Sequence, residues 1–130
     1  MFTDVYHIGL QTDDADAAIA FCQRAFGGTV KQQATNPDGS RLVFMRLGNT
    51  EVEIIQPADR SVLGGKTGLI LHHIGYAVDS VDQALAELEG KGFKRLWPEP
   101  RVNVEGARLI YMDPASMNGL NMHLTERPKV

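Results

Sequence analysis

The motif His7-Ile8-Gly9-Leu10 recurs as His73-Ile74-Gly75-Tyr76, so two histidines stand 66 positions apart in matching surroundings. Asp13 and Asp16 recur at the same offset as Asp79 and Asp82, which points to a duplicated module. The last apolar stretch of each half adds one more potential ligand, Glu53 in the first and His123 in the second. Imidazole nitrogen and carboxylate oxygen form a borderline ligand set that suits zinc, nickel, cobalt, manganese or iron(II). One divalent metal ion is therefore the expected cofactor, and open coordination positions would make it a catalytic rather than a structural centre. A single strand histidine is more often structural than ligating; the repeat is what joins these four residues into one reading. Glu51 lies two residues from Glu53 on the same strand row. It is the one carboxylate placed for acid–base work, against the competing reading of a solvated edge residue.

These residues need elements to hold them. In each half an apolar strand enters an acidic turn, followed by a helix of about a dozen residues and a glycine. Ala15, Ala18, Ile19, Cys22 and Phe26 share one helical face, with Asp13 or Asp14 as N-cap and Gly27-Gly28 as the stop. Ser80-Val81-Asp82-Gln83 matches a capping box; Ala84, Leu85 and Leu88 form the apolar stripe, and Gly90 and Gly92 close the helix. Strands then follow: Thr29 to Thr35, Arg41 to Leu47 after the Asn36-Pro37-Asp38-Gly39 turn, and Glu51 to Gln56. The second half offers Lys94 to Trp97, a Pro98-Glu99-Pro100 break, Arg108 to Met112, and Leu120 to Thr125. Each half reads β-α-β-β-β, spanning about 1–57 and 71–126 within a single domain, joined by a short linker from Ala58 to Thr67. On the final strand Leu120, Met122 and Leu124 form the apolar row, leaving Asn121, His123 and Thr125 on the other. Tyr111 and Arg108 are further side chains placed to line the same cavity.

Composition narrows the function classes. A chain of 130 residues, 43% hydrophobic and 22% charged, suits one globular domain, and a net charge of -3 without a basic stripe argues against nucleic acid. Cys22 is the only cysteine, which leaves no disulfide framework and no thiolate cluster. No apolar run approaches the ~20 residues that span a bilayer, and the first residues lack a signal-like pattern, so a cytoplasmic location without membrane contact is the expectation. The charged, Pro-containing tail from Glu126 to Val130 is expected to be loosely ordered.

Tyr6-His7-Ile8-Gly9, Leu71-His72-His73-Ile74-Gly75, Glu51-Val52-Glu53-Ile54-Ile55-Gln56-Pro57 and Met112-Asp113-Pro114 through Gly119 together resemble the vicinal oxygen chelate superfamily of glyoxalases, bleomycin-resistance proteins and dioxygenases. The resemblance runs over nearly the whole chain. Leu71 to Val78, Glu99-Pro100-Arg101 and Gly119 to Glu126 are similar to the methylmalonyl-CoA epimerases, and metal-dependent glyoxalase I (lactoylglutathione lyase) is the next likeness. The resemblance implies an α+β fold in which paired β-α-β-β-β modules form a curved mixed sheet around a metal-binding cup. It also implies a homodimer, the ligand set His7, Glu53, His73 and His123, and His73 rather than His72 as ligand. A small-molecule substrate containing a carbonyl, with an acyl-CoA thioester foremost, is the implied partner.

Two departures from the epimerase pattern bear on the reaction. An epimerase needs one carboxylate on each side of the substrate's α-carbon, so that a proton leaves one face and returns to the other. Here the final-strand carboxylate is His123, and the second acid position, on the third strand of the first half, holds Val43 or Phe44. A Lewis-acid isomerase lacking the usual bases is the first expectation. The alternatives are a glyoxalase I, a mononuclear non-haem iron dioxygenase, and a non-catalytic binder of antibiotics or other small molecules.

Overall fold

A computed structural model describes residues 1–128 of the chain. It contains eight strands: β1 (Phe2–Thr12), β2 (Thr29–Thr35), β3 (Arg41–Leu47), β4 (Thr50–Gln56), β5 (Leu69–Val78), β6 (Arg101–Val102), β7 (Arg108–Tyr111) and β8 (Met122–Glu126). The helices are α1 (Ala15–Phe26) and α2 (Val81–Gly90), so the α+β class and both β-α-β-β-β modules are present as the sequence predicts. Two compact units result, His7–His72 in one and Met1–Tyr6 with His73 onward in the other. The division runs through β1 and β5, and each of these strands contributes residues to both units.

In the unit spanning His7–His72 the strand order is β2-β3-β4-β1, with β4 antiparallel to β3 and parallel to β1. Helix α1 starts where the Asp14 carboxylate accepts from Ala17 N at 3.1 Å, which settles the N-cap on Asp14 rather than Asp13. It ends at Gly27, whose φ of 65° lets Gly27 N and Gly28 N close on the Gln23 and Cys22 carbonyls. Ala18 and Cys22 pack on Val43, Met45, Val52 and Ile54, and this burial is the apolar driving force for docking the helix. Phe26 departs from the expected core face. As the last helical residue before the left-handed turn it leaves the sheet and meets the Phe21 ring edge-on. The linker segment carries a short 3₁₀ turn, Arg60–Leu63, which buries Leu63.

In the other unit the order is β5-β8-β7-β6, with β8 parallel to β5 and antiparallel to β7. The first residues of β1 lie along β5, where Asp79 N donates to the Met1 carbonyl at 3.3 Å and Thr3 Oγ1 donates to the Ala77 carbonyl at 3.2 Å. Ser80 caps α2 through Gln83 N, and Val81, Ala84, Leu85 and Leu88 pack on Ile110, Met112, Met122 and Leu124.

Three expectations need correction. Lys94 to Trp97 forms only an isolated bridge, Arg95 to Met112, because Pro98 and Pro100 have no N–H with which to extend a ladder. Pairing resumes at Arg101–Val102, where Asn103 Oδ1 accepts from Glu105 N and Ala107 N to close the hairpin. Leu120, expected on the apolar row of the last strand, precedes β8 and is 38% exposed, and His7 and His73 sit mid-strand. The tail is tied down as far as it is described: Glu126 ends β8 and accepts from Val81 N at 2.7 Å, and Arg127 holds Asp4 through two hydrogen bonds. Lys129 and Val130 lie outside the described residues.

Candidate functional site

Strand alternation decides which side chains share a face. In the His7–His72 unit, Ile8 and Leu10 on β1 and Val52 and Ile54 on β4 belong to the α1 core. That places His7, Glu51 and Glu53 on the opposite row. The parallel register sets Gly9 beside Glu53, and His7 Nε2 then stands 3.8 Å from Glu53 Oε1. Phe44 is the direct partner of Glu53 across β3 and β4, whereas Val43 packs under α1. Phe44, fully buried, is therefore the residue on the row that carries Glu51 and Glu53. Glu51 keeps only 12% of its side chain exposed, and Lys31 Nζ donates to its Oε2 at 3.1 Å. Lys31 occupies a bulge, since β2 shifts register between Val30 and Gln32. Glu51 is thus a sheltered, charge-paired carboxylate and not the solvated edge residue of the bland reading.

The other unit repeats this plan. Gly75 stands beside His123 as Gly9 stands beside Glu53. Met122 and Leu124 face α2, so His123 and Thr125 occupy the opposite row together with His73. The rings of His73 and His123 lie 5.1 Å apart. Tyr111, the direct partner of His123, packs on both, with centroids at 5.6 Å from His73 and 5.0 Å from His123. Trp97 also packs on Tyr111, with centroids 5.0 Å apart, and carries the Arg101 guanidinium 4.2 Å above its own ring. His72, next in sequence to His73, falls on the opposite row by alternation. Arg108 also lies on the helix side, paired with Asp82 at 3.0 Å and Glu126 at 3.6 Å, and so does not line the face that Tyr111 does.

The electrostatics suit ligation. Burial pushes the His7 imidazole down from 6.5 to about 4, a shift that the negative Glu51 opposes without reversing. His72 is lowered by burial as well. A histidine that stays neutral at pH 7 offers a lone pair, as a metal ligand must. The 3.8 Å from His7 Nε2 to Glu53 is too long for a hydrogen bond. It matches the roughly 3–4 Å that separates two ligands each ~2.1 Å from one ion. In the other unit the His123 Nδ1 is hydrogen-bonded to Thr125 Oγ1, which leaves Nε2 as the nitrogen that can ligate. These residues fit a divalent cation. Of the supporting groups, Thr125 was visible in the sequence as a neighbour on the His123 row, while Lys31 was not, because a bulge has no alternation signature.

The fold and the duplicated histidine strands define a protein of paired β-α-β-β-β modules whose buried histidines could hold a metal ion. The chain belongs to the glyoxalase/bleomycin resistance protein/dioxygenase superfamily, whose family model matches residues 6–111. It is 29% identical over 127 residues to the mitochondrial methylmalonyl-CoA epimerase of Homo sapiens, covering 92% of this chain and 72% of that protein. It is 26% identical to the ethylmalonyl-CoA/methylmalonyl-CoA epimerase of Cereibacter sphaeroides, covering 92% of this chain and 95% of that one. Among solved structures it resembles a methylmalonyl-CoA epimerase at TM-score 0.88 and 27% identity, over 99% of this chain and 98% of the other. A Streptomyces coelicolor methylmalonyl-CoA epimerase solved with 2-nitronate-propionyl-CoA shares the fold at TM-score 0.87 and 24% identity, over 99% of this chain and 100% of that one.

Proposed function

We propose that this protein is a metal-dependent enzyme that enolises a small acyl-CoA thioester, with His7, Glu53, His73 and His123 holding one divalent ion. The observation that carries the reading is the matched register, Gly9 beside Glu53 and Gly75 beside His123, which gives each histidine of the repeat the same kind of partner. The acyl-CoA class is supported by the epimerase relatives and by the acyl-CoA analogue bound to the Streptomyces coelicolor protein.

A bound divalent ion supplies Lewis acidity at a carbonyl oxygen and so lowers the cost of removing a proton from the adjacent carbon. Glu51 takes that proton. Its carboxylate is on the ligand row, sheltered from water, and held by the Lys31 ammonium. The electron pair of the broken C–H bond moves onto the thioester, and Glu51 returns the proton to the face it came from. Inversion needs a second acid for the other face of the α-carbon, and the β3 position paired with Glu53 holds Phe44, which has no proton to give. The reaction is accordingly α-proton exchange that outruns epimerisation.

Metal-loaded protein incubated with methylmalonyl-CoA and other acyl-CoA thioesters in deuterated water tests this. The expected result is one deuterium at the α-carbon, acquired faster than configuration is lost. No exchange across the panel overturns the proposal, and efficient epimerisation overturns its one-sided form. Oxygen consumption with a phenolic or enolic substrate would reassign the site to a dioxygenase.

A further inference from the structure

We infer that Thr125 is a positioning residue that sets the tautomer and orientation of His123, so that Nε2 faces the metal. The inference rests on the reading above of His123 as a ligand.

The two modules differ at two linked positions. Glu53 on β4 corresponds to His123 on β8, since each stands beside the equivalent glycine of the repeat. Two residues further on, Ile55 stands beside Gln11 and Thr125 beside Ala77, again equivalent places. Where the ligand is a carboxylate the following row position is an aliphatic side chain. Where it is an imidazole that position is a hydroxyl, and the two are hydrogen-bonded through Nδ1.

The chemistry of the two ligands accounts for the pairing. A carboxylate has two equivalent oxygens, and any ring-like flip leaves it equally able to ligate. A neutral imidazole carries one proton, and it ligates only through the nitrogen without it. An acceptor at Nδ1 holds the proton there and frees the Nε2 lone pair, and such partners are worth about 10–100-fold in metal affinity. His123 is 1% exposed and Thr125 0%, so water cannot substitute for the hydroxyl. The aromatic walls of Tyr111 and His73 limit the ring's remaining freedom.

Zinc titrations by calorimetry on wild type, Thr125→Val, Thr125→Ser and His123→Ala provide the test. Valine conserves the volume of threonine and removes only the hydroxyl, and circular dichroism with the thermal midpoint establishes that each variant is folded. Thr125→Val is expected to bind zinc about 10–100-fold more weakly, Thr125→Ser within a few-fold of wild type, and Thr125→Val to have no further effect in the His123→Ala background. A long-range proton–nitrogen spectrum of zinc-loaded wild type should place the His123 proton on Nδ1. If Thr125→Val binds zinc like wild type while His123→Ala does not, the positioning role fails and the ligand reading stands. Unchanged affinity in His123→Ala sinks both. A wild-type His123 carrying its proton on Nε2 with zinc bound overturns the inference whatever the variants do.

Discussion

Phe44 and His123 stand where the resemblance to epimerases leads one to expect carboxylates, and the register decides which of two neighbours shares the row of Glu53. Val43 and Phe44 are indistinguishable as sequence, since both are apolar and adjacent. The β3–β4 pairing puts Phe44 opposite Glu53 and Val43 under α1. Replacing Phe44 and His123 together by Glu should therefore convert one-sided exchange into measurable epimerisation, read by chiral chromatography of methylmalonyl-CoA. His123→Glu alone should raise exchange without inversion. The double variant should also cost stability, because Phe44 is fully buried and an unpaired carboxylate there costs a few kcal/mol. Equal epimerisation rates in wild type and double variant would refute the assignment of Phe44.

His7 adds a pH dependence whose sign follows from its burial. In the metal-free protein the folded imidazole titrates near 4 and the unfolded one near 6.5. Between those values the unfolded chain binds a proton that the folded chain does not. Stability from this group is complete above about pH 6.5 and falls as pH drops toward 4, by on the order of 3 kcal/mol if His7 acted alone. Urea midpoints at pH 7.5, 6 and 5 should decline in wild type, and decline less in His7→Gln. A His7→Gln protein with the wild-type slope would assign the dependence to other groups.

At the scale of elements, α1 depends on a close approach that only glycine allows. A Cβ on Gly28 would stand 2.4 Å from Leu47 Cδ2 and 3.2 Å from the Cys22 carbonyl. Gly28→Ala should therefore lower stability by about 1–3 kcal/mol through displaced packing, visible in the thermal midpoint. An unchanged midpoint would show that Leu47 moves aside at no cost.

Most elements were legible in the sequence because their signals are local. The Asp14 and Ser80 caps, the Gly27 stop and the Asn36 to Gly39 turn each use side chains within a few residues of the feature they fix. The misplaced element, Lys94 to Trp97, has the composition of a strand. Its failure to extend beyond one bridge is decided by the prolines after it and by the Asn103 hairpin, which sets the register of Arg101 and Val102 on β7. The site followed the same division. The candidate ligands His7, Glu53, His73 and His123 were picked out by the repeat, and Thr125 was visible on the row of His123. The Lys31 contact with Glu51 could not, since it depends on a bulge that breaks the period of two.

At the scale of the whole molecule, the duplication would explain why the four proposed ligands are spread over the entire sequence. Each module carries a histidine on its first strand and a second candidate ligand on its last. The chain's likeness to a methylmalonyl-CoA epimerase structure, at TM-score 0.88 over 99% of its length, fits a shared fold. An ion bound only by the folded protein stabilises it by mass action, so zinc at 100 times its Kd should add about 2.7 kcal/mol. A thermal midpoint indifferent to zinc would contradict a folded-state site.

The most direct measurement is metal stoichiometry and affinity in protein purified without an affinity tag, reconstituted with zinc or cobalt, for wild type, His7→Ala and His73→Ala. One ion per chain, with affinity lost in both variants, is the predicted result, since the histidines belong to different modules but one centre. A chain that holds no stoichiometric ion, or whose affinity survives both substitutions, would contradict the proposed centre and the chemistry derived from it.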